Sequence, residues 1–451
     1  MKIILLLSGL FLLFSFSSCR NKNPNLSKEE LLTELNREPE KKKELPVIPE
    51  GYVPPAGIKY TAERDFSVPL VRLDIVAGLK NEQPVKLSDF AKEVVYYRVG
   101  DLGMAGIGYP IAIPGGYVMN MLNGVWLLKS DFAADRMLIK YDVTISGNKS
   151  FTMINRPAYI SGLYYNEEMR FLHYTLVTED TNEDGKRNIY VGTVLLDELL
   201  SAPASVDVQN LKKELNAGRT GGIYPVKGGY ALSGYYSTGL YTFDMKGDTL
   251  CYFEPGTVSR EWPQGTIRGA ESSDYYLYNG LLHYRLNYTD TVFQVLDAST
   301  FRPVYKIDLG NYQVDRLDGL KASFSLAEKY LVWGIVETDD RLYLRITQDY
   351  DCPSTRKSGA VKFYQLIYEK KDKRLYSFMN RENLSQPGGG NIPNDLDNGL
   401  PFWPDRQIGG KPYMAINKRL LGEYFPNVKQ DQLPAALQGL GENEFVLITI
   451  K

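Results

Sequence analysis

What most constrains this chain is how briefly any one pattern lasts. From about residue 68 to the end of its 451 residues, apolar runs continue for only a few positions before Gly, Asn, Asp or Pro breaks them. Val94-Val95-Tyr96-Tyr97, Gly124-Val125-Trp126-Leu127-Leu128, Arg170 through Val177, Thr291 through Leu296 and Tyr330 through Val336 are examples. Short β-branched and aromatic runs between turn residues specify strands, whereas a long helix needs an unbroken 3.6-residue period. Only three stretches read as helical, 87–92, 208–216 and 432–438. The 33 Tyr and 40 Gly are what many strands and tight turns consume.

So many short strands can form two sandwiches or one radial array. A weak internal repeat favours the array: Leu172-His173-Tyr174-Thr175-Leu176 returns as Leu282-His283-Tyr284-Arg285-Leu286. That is two blade lengths later if a blade takes ~50 residues. A closed propeller also removes the exposed strand edges that an open sheet leaves. One β-propeller over 68–451 is therefore expected, with the number of blades left open by the residues themselves.

The first 18 residues combine Lys2, an apolar run from Ile3 to Phe16, and Ser17-Ser18 before Cys19. The run is shorter than the ~20 residues that span a bilayer. It reads as a lipoprotein signal peptide over 1–18, with Cys19 the residue that receives the fatty acyl anchor. Residues 19–67 follow as a polar tether. Ser27-Lys28-Glu29-Glu30 has capping-box spacing ahead of Leu31, Leu32 and Leu35, so one short helix is expected within it.

Four segments carry a family resemblance. They are Val85 through Tyr97; Asn287 through Phe293 with Arg302 through Gly310; Asn394 through Pro404; and Glu442 through Lys451. Together they resemble Bacteroidales lipoproteins that form six-bladed β-propellers of unknown function. The resemblance implies an opening strand near Val94, a closing strand near Phe445 and six blades, although seven or more stay compatible with the residues alone. It also implies attachment to the outer membrane. Relatives displayed at the cell surface carry an acidic run after the cysteine, and here Arg20-Asn21-Lys22-Asn23-Pro24 stands instead, so the side of that membrane stays open. The Gly-Pro-Gly-Glu-like turn of many relatives is replaced by Gly103-Met104-Ala105-Gly106-Ile107-Gly108.

Charge and composition exclude several functions. With 52 basic and 54 acidic residues the net charge is −2, which offers no footprint for nucleic acid. Two His and three Cys cannot build the usual Cys/His zinc sites. The sharpest chemical motif is Asp180 to Asn188. Asp180, Asn182, Asp184, Lys186 through its carbonyl, and Asn188 occupy the ligand positions of a calcium loop, with Gly185 at the tight turn. Position 12 is Val191, so the bidentate Glu of an EF-hand is missing. The same residues also make an ordinary hairpin turn without metal, and both readings stand. Any bound calcium would brace the loop rather than catalyse.

His173 and His283 lie between apolar neighbours and read as strand residues at equivalent blade positions. No Gly-x-Ser-x-Gly, His-Glu-x-x-His or P-loop pattern supplies a nucleophile or a phosphate cradle. Cys251 and Cys352 are either paired or free. Tyr230, Tyr235, Tyr236, Tyr241, Trp126, Trp262, Trp333 and Trp403 read mainly as packing residues, and Ser385 through Asn391 and Arg219 through Gly222 as ligand-presenting loops. The expectation is a non-enzymatic binding or scaffold module for a protein, glycan or peptide ligand, attached to the membrane by lipid. The alternative is a metal-dependent envelope hydrolase or lyase, which would require the 180–188 loop and a histidine to converge on the propeller channel.

Overall fold

The computed structural model describes residues 59–100, 109–148, 151–167, 169–181, 185, 187–216, 222–233, 239–244, 246–253, 271–321, 324–350, 361–378 and 390–451. The first elements precede blade one: β1 (Glu63–Arg64), β2 (Val71–Asp74), helix α1 (Ile75–Lys80), β3 (Glu82–Gln83) and β4 (Val94–Val99). Blade one is β5 (Tyr109–Ile113), β6 (Gly116–Met121), β7 (Gly124–Leu128) and β8 (Ala134–Lys140). After the hairpin of β9 (Thr144–Asn148) and β10 (Phe151–Asn155), blade two begins with β11 (Tyr159–Asn166), β12 (Phe171–Thr181) and β13 (Arg187–Leu195). Helix α2 (Leu196–Ser201), β14 (Val206–Asp207) and β15 (Leu215–Asn216) follow.

Blade three is β16 (Gly222–Val226), β17 (Gly229–Ser233), β18 (Leu240–Phe243) and β19 (Thr249–Phe253). Blade four is β20 (Asp274–Tyr278), β21 (Leu281–Arg285), β22 (Thr291–Val295) and β23 (Thr300–Asp308), with helix α3 (Arg316–Leu320) behind it. Blade five is β24 (Tyr330–Glu337), β25 (Arg341–Gln348), β26 (Lys362–Glu369) and β27 (Arg374–Phe378). Blade six has β28 (Arg406–Ile408), β29 (Lys411–Asn417), helix α4 (Lys418–Tyr424) and β30 (Phe445–Ile450).

The blades close a ring. β5 touches β11, β11 touches β16, β16 meets β21, β20 meets β24, β24 meets β28, and β28 returns to β5. Blade six has only three strands of its own, and its fourth is β4, antiparallel to β30 from Val94 opposite Ile450 to Val99 opposite Phe445. The two strands expected to open and close the fold are therefore partners. Every residue of β30 is buried, as a strand covered on both faces and both edges must be. The fold is an all-β propeller of six blades.

Residues 59–93 run around the rim as a strap. The Lys59 and Tyr60 N–H groups donate to the Leu250 carbonyl of blade three. Next, β1 and β2 lie parallel along β23 of blade four. Helix α1 packs on β26 and β27, β3 extends blade five beside β27, and the chain then becomes β4. Gly78 of α1 sits where a Cβ would run into Leu375 and Leu366, so the helix approaches blade five only because that residue is glycine. Blades one and two are edged by β14, parallel to β8, and by β15, antiparallel to β13. The outer strands of blades one to five thus each have a backbone partner, an arrangement that hinders the addition of strands from other molecules.

Packed chain begins at residue 59 at the latest, so residues 59–67 line the rim although they read from sequence as tether. The three expected helices shrink to short 3₁₀ turns. Leu87–Asp89 is pinned by Asp395, whose carboxylate accepts from the Ser88 N–H (2.9 Å) and hydroxyl (2.7 Å). After the turn Val208–Asn210, the remainder of 208–216 becomes β15 because blade two needs an edge strand. Pro434 separates the turns Gln430–Gln432 and Ala435–Leu437.

Candidate functional site

The two histidines occupy the same place in their blades. Each is the third residue of a second strand, His173 opposite Tyr164 of β11 and His283 opposite Tyr276 of β20. Strand alternation turns them away from the Leu and Tyr beside them, and each reaches the following blade: His173 meets Tyr230 of blade three, and His283 meets Glu337 of blade five.

His283 and Glu337, each only 2% exposed, centre a polar cluster between blades four and five. The hydrogen bonds fix one consistent arrangement. Arg302 donates to the Gln294 Oε1 (3.3 Å), the Gln294 amide donates to His283 Nε2 (2.9 Å), and His283 Nδ1–H donates to Glu337 Oε2 (2.9 Å). Tyr276 also donates to Oε2 (2.9 Å), while Tyr305 (2.6 Å) and the Lys370 ammonium (2.8 Å) donate to Oε1. Burial alone would raise the Glu337 carboxyl, but His283 and Lys370 outweigh it and bring it down to about 2. With four donors on one carboxylate, Glu337 has no acceptor position left for a substrate proton. The cluster joins the first strand of blade five to every strand of blade four.

A second buried charge lies two residues further along the same strand as His283. Arg285 is fully buried, with its guanidinium on Glu271 and, at 2.6–2.8 Å, on Asp274, its partner across the ladder. Burial pushes both carboxyls upward, against the pull of Arg285. Remaining guanidinium hydrogens reach the carbonyls of Thr289 (3.1 Å) and Ser272 (3.3 Å), and the Glu271 carboxylate also accepts the Tyr288 N–H (3.1 Å). This triad was not foreseen from sequence. Its signal is the replacement of Thr175 by Arg285 in the repeated motif, a charge at a position whose counterpart is buried.

Between blades two and three, His173 Nδ1 lies 3.2 Å from the Tyr230 hydroxyl. Thr193, opposite His173 in the ladder, donates to Glu214 Oε1 at 2.8 Å. Burial lowers the His173 pKa, with Glu214 opposing. Gly192 makes room here, since a Cβ would overlap the Tyr174 hydroxyl and the Lys212 carbonyl that it donates to.

The described ends of the 180–188 loop lie far from this histidine. Asp180 is seven residues beyond His173 on β12, roughly 23 Å at ~3.3 Å per residue. Its carboxylate is 3.5 Å from the Lys213 ammonium, and Asn188 accepts from the Asn216 amide at 3.4 Å. Gly185 holds φ of 71°, as either a calcium loop or a plain turn requires. Asn182, Asp184 and Lys186 lie outside the described residues, as do Cys19, Cys352, Tyr235, Tyr236, Trp262 and most of both Gly-rich loops. Among the described residues, no group of three or more His, Cys, Asp or Glu is placed to hold a metal. The convergence of loop and histidine that a channel hydrolase needs is thus not what these residues display: His173 is at the other end of its strand, and His283 is enclosed by its own partners.

Cys251 is a buried free thiol, pushed up to about 11 by burial. Tyr230 and Trp403 are core residues, the latter edge-on to Tyr343 at 5.4 Å. Three consecutive first strands are linked by aromatic contacts, Tyr164 to Tyr224 and Tyr224 to Tyr275, each 5.4 Å between centroids.

Residues 55–427 match the family model described as Domain of unknown function (DUF4933). The chain belongs to this family. The DUF4933 match begins ahead of the strap, so the rim segment is part of the family's domain and not an appendage. Similar solved structures include a Bacteroides fragilis protein assigned as exported (10% identity, 85% of this chain and 99% of that one, TM-score 0.49). A duf4221 family member from Bacteroides vulgatus gives 11% identity over 80% and 97% of the two chains, with TM-score 0.40. The β-propeller domain of the Trilobed protease from Pyrococcus furiosus gives 11% identity over 68% and 78%, with TM-score 0.30. No curated protein matches this DUF4933 chain. Among its described residues, no helix is long and apolar enough to cross a membrane.

Proposed function

We propose that this DUF4933 protein is a lipid-anchored module of the cell envelope that holds a ligand or protein partner on a rigid six-bladed ring. The observation that supports binding over catalysis is the saturation of Glu337: its four donors come from two blades, so the cluster acts as a pin between them. Mutually satisfied buried charges rigidify a scaffold, and loops on such a scaffold are where recognition residues sit. The signal-like run before Cys19 supports attachment to the outer membrane. In cells, the precursor is expected to accumulate under globomycin, and Cys19→Ala to leave the membrane fraction. Unchanged processing and fractionation of that variant would remove the anchor from the account.

Calcium at Asp180, Asn182, Asp184, the Lys186 carbonyl and Asn188 belongs to the same proposal, as a brace for the β12–β13 loop. Millimolar calcium is expected to raise the melting temperature of the protein, by the ordinary linkage of a ligand that binds only the folded state. Asp180→Ala should abolish that rise, and a wild-type melting curve indifferent to calcium and to chelator would leave the plain turn.

A further inference from the structure

The strap carries an apolar row that the ring does not cover. Of the eight large hydrophobic side chains exposed among the described residues, four fall between residues 60 and 70: Tyr60 (53%), Phe66 (70%), Val68 (46%) and Leu70 (43%). Scattered single apolar residues are normal on a surface, but a cluster on one segment marks a contact. Phe66, Val68 and Leu70 alternate along the span between β1 and β2, on the rim of blade four.

We propose that this row rests on the bilayer that holds the chain's own anchor, so that the rim of blades three and four faces the membrane. The inference depends on the lipid anchor at Cys19 proposed above. The described chain is on the ring from residue 59, directly ahead of the row. About forty residues separate Cys19 from that point. The strap is therefore the part of the ring first presented to the anchoring membrane. Tethering raises the local concentration of bilayer, so a contact too weak to recruit a free protein can still orient a bound one.

The neighbouring charges say what kind of contact this is. Arg72 pairs with Asp308, Lys59 with Asp244 and Asp248, and Arg302 with Asp65. Arg64 lies over the Phe253 ring, 5.3 Å from its centroid. These cations are already engaged, so the row offers no polybasic patch to anionic headgroups. Insertion of aromatic and aliphatic side chains at the acyl boundary is what remains. Binding should accordingly be indifferent to salt and to the fraction of anionic lipid.

The test uses the mature chain, residues 19–451, with Cys19→Ser so that no acyl group contributes. Flotation is measured with vesicles of phosphatidylcholine alone and of phosphatidylethanolamine with phosphatidylglycerol. The expected result is weak flotation with both, unaltered by salt, and at least tenfold less in Phe66→Ser/Val68→Ser/Leu70→Ser. A melting curve confirms that the variant is folded, as its exposed positions predict. Absence of flotation by the parent, or equal flotation by the triple variant, would overturn the proposal. So would a parent that sediments as a dimer while the triple variant is a monomer, because the occupant would then be a second copy. Slow amide exchange at residues 66–70 without vesicles would instead assign the row to the chain's own tether. Processing and fractionation of Cys19→Ala report on the anchor separately, so failure of the anchor and failure of the row are distinguishable.

Discussion

Replacing Arg285 with methionine is expected to destabilise the protein by about 3–5 kcal/mol, the usual consequence of removing one partner from a buried ion pair. The guanidinium is fully buried and holds Glu271 and Asp274 at once, so its loss leaves two carboxylates among apolar strands without a counterion. They can escape only by taking up protons, in the direction that burial already pushes them. The sign of the pH dependence follows. A carboxyl whose folded pKa is raised stabilises the fold below its unfolded pKa and loses that contribution as pH rises. The variant should therefore be nearest to wild type in mild acid and fall further behind toward neutral pH. Urea unfolding at pH 5 and pH 8 reads this directly. Removing the acids as well, in Arg285→Met/Glu271→Leu/Asp274→Leu, should recover most of the stability, because a buried triad replaced by apolar residues is often neutral. A single variant as stable as wild type would mean that water reaches the triad.

Glu337→Gln should cost about 3 kcal/mol at neutral pH, because the amide that replaces the carboxylate leaves the buried donors, the Lys370 ammonium among them, without their anion. Here the folded pKa is depressed. The stabilisation is present above the unfolded value of 4.5 and disappears as pH falls toward about 2. Wild type should lose stability steeply across that window, and the glutamine variant, with no carboxyl to protonate, should lose less. Its curve and that of wild type should converge near pH 2. Parallel curves separated by a constant amount would show that packing, not ionisation, is what the substitution removed.

How much of this was legible in the chain depends on range. Strand runs and turn residues are local, so the all-β class and the opening and closing strands were readable from Val94 and Phe445 outward. The repeated Leu-His-Tyr motif marked equivalent second strands because two blades demand the same alternation there. The helical misreadings were local patterns overridden by the ring: Leu215 and Asn216 became an edge strand because blade two lacked one. Residues 59–67 read as tether since nothing in their own sequence shows β23 waiting beside them. The clusters were hidden for the same reason. Glu337 ends an apolar strand and Lys370 opens a turn, and only the packing of blade five on blade four brings both within reach of His283 and Tyr305. The oxygen-bearing side chains of the 180–188 loop could be read from spacing, but the Lys213 ammonium beside Asp180 could not.

The central structural claim is that β4 and β30 close the ring as one unit, and amide hydrogen exchange tests it most directly. Because β30 is covered on both edges and both faces, it can open only with the ring, and β4 should open with it. The amides of Val95, Tyr97 and Val99, which face β30, and those of residues 445–450 are predicted to exchange with the same opening free energy, close to that of global unfolding. Exchange of Val95, Tyr97 and Val99 within seconds while 445–450 stays protected would contradict the account, since the ring would then hold without its N-terminal strand.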